Sequence, residues 1–534
     1  MTVLAGTGRL VRLAVRLDRV RLAVWIVAMA TLAFAVASAF QELYPTIDSR
    51  RLFAGTLGRT PALVALTGRG YNLLSIGGLT SWRIGGFGAT LVGLLGIFTV
   101  VRHTRAEEEA GRLELVGSAM VGRYAPLVAA LAVAFGATLA IGIAIGVALS
   151  VLGEPAAGSL ALGLAFTSAG WSFAALAAVA AQLTHSARAA GGLAGTALGL
   201  SFLLRAAGDS AGSGGMSILS WLSPIGWSQL VRPFANERWE VFLLPAGLVA
   251  VCVGLSAALV SRRDLGEGLI PARPGPADAA GGLDTPARLA WRIHRGQFAA
   301  WLGAFVVLGS VFGLLAEGIS GMLDESPELA EIFERMGGVQ EDIVRAYFAA
   351  VMGVVALLAA AYAIQAALRL RSEELAGRLD PVLASPVSRG RWLLGHVGIV
   401  LGGVACLLFA AGFLTGLVHG LQSGGPGAAL RDLAPGALLQ FPAVAVMAGL
   451  TVALFGLWPR ASAASWAALA GVAVITQLGG LLQFPTWVLN LSPFEHAPVF
   501  FLDGFALVPT LLLIGTASAL TGIGLLGFVR RDVG

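Results

Sequence analysis

The strongest constraint on this chain is a set of segments that carry no charge and are long enough to cross a bilayer. Ile84–Val101, Ala125–Leu152 and Phe505–Phe528 are uncharged throughout, and they reach or approach the ~20 residues that a helix needs to span hydrocarbon. In that solvent every backbone N–H and C=O must be bonded internally, so each such segment has to be a helix. Nine further stretches read the same way: Leu22–Phe40, Leu160–Gln182, Ala190–Leu204, Val241–Val260, Phe298–Ala316, Ala346–Leu368, Leu393–His419, Ala437–Trp458 and Ala463–Leu482. The expected fold is an all-α polytopic membrane protein with twelve transmembrane helices. Composition agrees, since 12% of residues are charged and 57% hydrophobic, against about 25% and 45–50% in soluble domains.

The first apolar stretch is long enough to span and has no small-residue cleavage site before a polar domain, so it is expected to stay in place. Roughly two thirds of the arginines fall on one side if the N-terminus is cytoplasmic, which by the positive-inside tendency puts both termini in the cytoplasm. The acidic stretch Glu317–Asp342 then lies outside. Arg9, Arg12, Arg16 and Arg19 recur at spacings of three and four, giving a basic amphipathic helix suited to lie on the anionic leaflet before the chain turns into the bilayer.

Charge is concentrated in one place. Six of the twelve residues of "RAEEEAGRLELV", Arg105–Val116, are charged, and a near copy, "RSEELAGRLDPV", returns at Arg371–Val382. Glu107, Glu108, Gly111 and Arg112 match Glu373, Glu374, Gly377 and Arg378 at a constant offset of 266 residues. Other matches keep the same order: "RLDRVRLAVW" from Arg16 with "RIHRGQFAAW" from Arg292, "TPALVAL" from Thr60 with "SPELAEI" from Ser326, "LSP" at Leu222 and Leu491, "RRD" at Arg262 and Arg530. Two six-helix repeats follow, residues 1–265 and 287–534, each opened by an amphipathic helix and joined by a Pro/Gly-rich cytoplasmic linker over 266–286. An even number of spans makes them parallel repeats about an axis along the membrane normal, an arrangement that favours a transporter.

Each half has further landmarks. Thr60 or Ser326 is placed to cap an external helix with Pro61 or Pro327 in its first turn, and Gly68 or Gly337 to stop it. Trp221, Trp227 and Trp239, with Phe494, Phe500 and Phe501 in the second half, suit an interfacial aromatic belt. Within the charged segments Glu108 precedes Arg112, and Glu374 precedes Arg378, by four residues, the favourable helical order. A glycine inside such a helix costs about 1 kcal/mol relative to alanine, and close approach by a partner surface would account for keeping it twice.

Several classes of chemistry are excluded. All 35 Lys+Arg residues are Arg, so this chain has neither the lysine of a Walker A loop nor an amine for a Schiff base. His103, His185, His294, His396, His419 and His496 are scattered with no HExxH spacing, Cys252 and Cys406 fall inside apolar stretches, and neither a metal site nor a membrane enzyme is expected. The twelve stretches hold no Asp or Glu, which argues against the main alternative, an ion-coupled secondary transporter of major-facilitator type. Nothing points to nucleic acid.

The charged "EE.AGR" segment between spans two and three, the amphipathic lead-in helix and "LSP" before span six resemble the type-2 permeases of ABC exporters. The doubled form resembles the fused permeases described as exporters of polyketide antibiotics, and the resemblance covers nearly the whole chain. It implies a multi-pass protein of the bacterial plasma membrane that moves hydrophobic or amphipathic drug-like compounds out of the cell. The energy would come from a separate ABC ATP-binding subunit, two copies, with ATP and Mg bound there and no cofactor in this chain. It further implies that Glu107, Glu108, Gly111, Arg112 and Glu114, and Glu373, Glu374, Gly377, Arg378 and Asp380, form coupling helices that dock on the ATPase. Leu375 replaces Glu109 and Pro381 follows Asp380, so the two docking sites are expected to be unequal. The membrane glutamines Gln182, Gln365, Gln440 and Gln477 are candidate polar anchors in an otherwise apolar substrate cavity.

Overall fold

The computed structural model describes residues 3–56, 64, 67–117, 121–210, 218–263, 266–270, 285–324, 340–479, 482–498 and 506–532. Their regular structure is entirely helical. Twelve helices are long and apolar enough to span a membrane: Thr7–Leu43, Ile76–Glu109, Ala125–Val151, Ala156–Leu183, Ala187–Asp209, Trp239–Val260, Pro286–Leu314, Tyr347–Leu375, Arg389–Gln422, Pro426–Leu457, Pro459–Leu478 and Leu507–Arg530, called spans 1 to 12 below. They fall into two compact units, Met1–Gly275 and Pro276–Gly534.

The first unit packs span 1 on 3, span 3 on 4, and spans 2 and 6 on span 4; the second packs 7 on 9, 9 on 10, and 8 and 12 on 10. Span 4 is the central helix of its unit because small residues face every neighbour, with Ala161, Ala165, Ala169 and Ala177 buried beside Phe166 and Phe173. A side chain on Gly142 or Gly163 would collide with the other's carbonyl oxygen, and one on Gly456 would collide with that of Gly524. Lipid tails are as apolar as leucine, so close approach of small residues is what holds such helices together.

Two expectations change. The basic N-terminal segment does not turn before the bilayer: Thr7–Leu43 is one unbroken helix of 37 residues, because no Gly or Pro interrupts it after Gly8. Its counterpart is equally continuous over Pro286–Asp324. The spans also hold acidic residues after all. Span 5 runs on to Asp209, and Asp18 lies buried in span 1. Arg205, fully buried, lies 3.9 Å from Asp209, which also accepts a 2.8 Å hydrogen bond from Ser220 and sits 4.0 Å from Arg69. Charge pairing lets these helices continue where hydropathy alone stops them.

The "LSP" repeats act as staples. Ser223 is buried, donates to the Ser201 carbonyl of span 5 at 2.6 Å and caps the Gly226 N–H; Ser492 is buried 2.8 Å from Thr476 of span 11. Trp221 and Trp227 pack half-buried on Leu230 and Val231, whereas Trp239 is exposed. Gly68 takes the left-handed φ of +95° expected of a helix stop. Thr60, Pro61, Ser326, Pro327, Gly337, Phe500, Phe501, residues 271–284 of the linker and 325–339 of the acidic stretch lie outside the described residues.

Candidate functional site

The charged segments sit where spans 2 and 8 end. Thr104 breaks the first at φ −121°, ψ −91°, after which come a helical turn, Arg105–Glu109, and a second, Arg112–Gly117. The second segment forms Arg369–Leu375 and Leu379–Leu383. Between the two turns lies the repeated glycine. Gly111 has φ +70° and Gly377 φ +64°, each donating its N–H to the carbonyl of the second glutamate at 2.9 and 3.0 Å. Nothing lies within 4 Å of where either Cβ would be. The glycine supplies the left-handed backbone of a helix stop, and its open side leaves room for a partner surface.

That kink also redirects the charges. The expected four-residue pairs do not form; instead Arg112 holds Glu107 with contacts of 2.7 and 2.8 Å, and Arg378 holds Glu373 at 3.1 Å. Glu107 keeps the Arg112 guanidinium above its ordinary pKa through that hydrogen bond and its charge. The second glutamates turn inward. Glu108, 5% exposed, pairs with Arg105 at 2.6 Å and with Arg263 at 2.6 and 3.0 Å. Glu374, 8% exposed, pairs with Arg371 at 3.1 Å and with Arg531 at 2.6 and 2.9 Å. Two-point arginine–carboxylate bonds of this length are the strong kind.

Arg263 and Arg531 are the second arginines of the "RRD" repeats, so two motifs far apart in sequence meet in the same way in each unit. Another matched pair grips the same helix ends. Arg123 donates to the carbonyls of Val260 and Arg263 at 2.8 and 3.2 Å, and Arg389 to those of Val529 and Arg531 at 3.1 and 2.6 Å. They bond carbonyls that a helix C-terminus leaves without an intrahelical partner. Sequence reading passed over Arg123 and Arg389, although "VGR" at Val121 and "VSR" at Val387 keep the offset of 266. It also left out Arg105, whose buried guanidinium donates to the carbonyls of Ala181 and Glu267.

Of the ten candidate residues, Glu108, Glu373 and Glu374 have buried side chains, and Glu107 and Gly111 are half-buried. Arg112, Glu114, Gly377, Arg378 and Asp380 are exposed. Glu114 and Asp380 stand in first helical turns, where a negative charge suits the helix dipole.

Other contacts differ between the units. Asp18 of span 1 lies 2.8 Å from His103 and 3.1 Å from Arg102, while His294, at the matching place in span 7, bonds His396 at 2.9 Å. Glu109 caps the Ala187 N–H that opens span 5 at 2.9 Å, whereas Leu375 in its place is 70% exposed. Gln182 is buried and accepts from Arg263 at 2.6 Å, and Gln440 is buried too. Gln365 and Gln477 are exposed, Gln365 accepting from Trp301 at 2.8 Å.

Residues 283–529 match the family model described as multidrug efflux system permease Rv1217c, C-terminal domain. The chain is 41% identical over 529 residues to the multidrug efflux system permease protein Rv1217c of Mycobacterium tuberculosis (strain ATCC 25618 / H37Rv), an alignment covering 99% of this chain and 95% of the relative. With twelve spans and the duplicated charged segments in place, the chain belongs to the multidrug efflux system permeases, the ABC type-2 family that its motifs resemble.

Proposed function

We propose that this permease is the membrane part of an ATP-driven exporter of hydrophobic or amphipathic drug-like compounds, built as two parallel six-span repeats with both termini in the cytoplasm of a bacterial cell. Separate ATPase subunits, one beneath each repeat, dock on the two charged segments. The observation that carries this reading is the duplicated ion-pair architecture: in each unit the second glutamate is locked inward, leaving Arg112 with Glu114, or Arg378 with Asp380, facing out. A solvated surface helix has no need of the same buried lock twice. Closure of the ATPases on ATP and Mg would push the segments together and turn a central cavity from inward to outward facing. The docking sites are unequal: the second offers exposed Leu375 where the first has Glu109 engaged with span 5.

The test is purification from the native membrane in mild detergent with an assay of ATP hydrolysis. A stoichiometric ATPase that is lost on the joint substitution Arg112→Glu and Arg378→Glu supports the reading. Retention of the ATPase by that variant would sink the docking assignment. A preparation without hydrolysis would favour an ion-coupled carrier, for which the buried Arg205–Asp209 pair is the candidate coupling site.

A further inference from the structure

We infer that spans 6 and 12, through their arginine clamps, are the levers on which the two charged segments act; this rests on the reading that those segments receive an ATPase. Each segment is tied to its unit by several contacts, and most belong to one unit only. The bond from Glu109 to the N-terminus of span 5 has no counterpart at Leu375 among the described residues, and the Asp18–His103 contact just ahead of the first segment gives way to His294–His396 in the second unit. The attachment that recurs joins the segment to the last span: Glu108 to Arg263, and Glu374 to Arg531.

The recurring joint is built to carry force. Both bonds of each clamp connect a planar guanidinium to a carboxylate, which resists rotation as well as separation. Both carboxylates are more than nine-tenths buried, so water does not compete. Arg123 and Arg389, at the starts of spans 3 and 9, hold the terminal carbonyls of the same spans from a second direction. Span 6, Trp239–Val260, is therefore gripped at one end, and its 22 residues reach about 33 Å along the helix. A shift of the segment thereby displaces the opposite end of the helix. Arg263 and Arg531 are positioning residues, acting through these spans and touching no substrate.

Arg263→Gln with Arg531→Gln tests this cleanly, because Glu108 and Glu374 keep Arg105 and Arg371 as partners. Cys252→Ala and Cys406→Ala give a cysteine-free chain, into which Leu255→Cys or Leu526→Cys places a bimane label on an exposed site of span 6 or span 12. Bimane fluorescence and ATP hydrolysis are then read on the purified complex before and after trapping with ATP and vanadate. The expected result is a trapping-dependent shift in the parent that falls roughly tenfold in the double glutamine variant, while the ATPase still co-purifies and hydrolyses ATP. Arg263→Lys with Arg531→Lys, which keeps the charge and loses the fork, should fall between. An undiminished shift in the glutamine variant, no shift in the parent, or loss of the ATPase from the variant alone would overturn the lever. Absence of any ATPase from the parent would instead overturn the docking reading on which it rests.

Discussion

Arg263 and Glu108 stand 155 residues apart in the chain and meet through two bonds, of 2.6 and 3.0 Å, at the ends of spans 6 and 2. Arg531 and Glu374 repeat the joint 157 residues apart, at 2.6 and 2.9 Å. Glu108 is the more consequential partner, because it balances two nearly buried arginines at once. Glu108→Ala removes the one carboxylate that Arg105 and Arg263 share and is expected to cost about 3 kcal/mol or more. A thermal melt in detergent checks this: Glu108→Ala should melt well below Arg263→Gln, and equal melting points would count against the shared-partner arrangement.

Arg112 offers the converse case. Its side chain is 59% exposed and its partner Glu107 26%, and exposed pairs contribute about 1 kcal/mol at most. Arg112→Ala should therefore melt like the parent. If the outward face docks an ATPase, the same variant weakens co-purification, and chromatography of the complex at rising salt measures the loss.

Gly111 and Gly377 pay no steric cost at φ +70° and +64°, whereas a residue with a Cβ costs about 1–2 kcal/mol there. Since a Cβ would meet open space, the whole penalty is in the backbone. Gly111→Asn should be tolerated better than Gly111→Val, which carries a β-branch into a left-handed conformation. A melting order of Gly, then Asn, then Val is the expected result; equal values for Asn and Val would refute the conformational explanation.

At the crossing of spans 3 and 4, Gly142 faces the Gly163 backbone, while Gly136 six residues earlier meets nothing within 4 Å. Gly142→Leu should separate the helices and cost about 1–3 kcal/mol or more through overpacking. Gly136→Ala should be neutral or slightly stabilising. Size-exclusion profiles and melting curves of the two variants should diverge, and similar behaviour would be incompatible with this crossing.

Asp209 and Arg205 lie one helical turn apart in span 5, with Arg205 fully buried. Asp209→Leu removes the carboxylate beside a buried cation and should lower the yield of folded protein sharply. Replacing both by leucine should recover part of it, since apolar pairs often substitute for buried ion pairs. Fluorescence-detected chromatography of a tagged chain separates these outcomes; a double variant no better than Asp209→Leu would show that the pair is needed for more than charge balance.

Much of this protein is legible in its sequence because the bilayer imposes simple rules. An uncharged stretch of about twenty residues can only be a buried helix, so the twelve spans and the duplicated charged motif follow from the order of residues alone. Where helices end was less legible: Asp18, Arg205 and Asp209 stay inside spans 1 and 5 because of partners that hydropathy does not see. The choice of ion-pair partner was illegible as well. Spacing favoured Glu108 with Arg112, but the left-handed Gly111 breaks the helix between them and frees Glu108 for Arg263, a residue made neighbour only by the packing of span 6 on span 4 and span 4 on span 2. Sequence determined which charges the protein keeps; tertiary packing decided which of them are locked inward and which face out, because a buried charge pairs with whatever the helix contacts bring within reach and not with what lies four residues away.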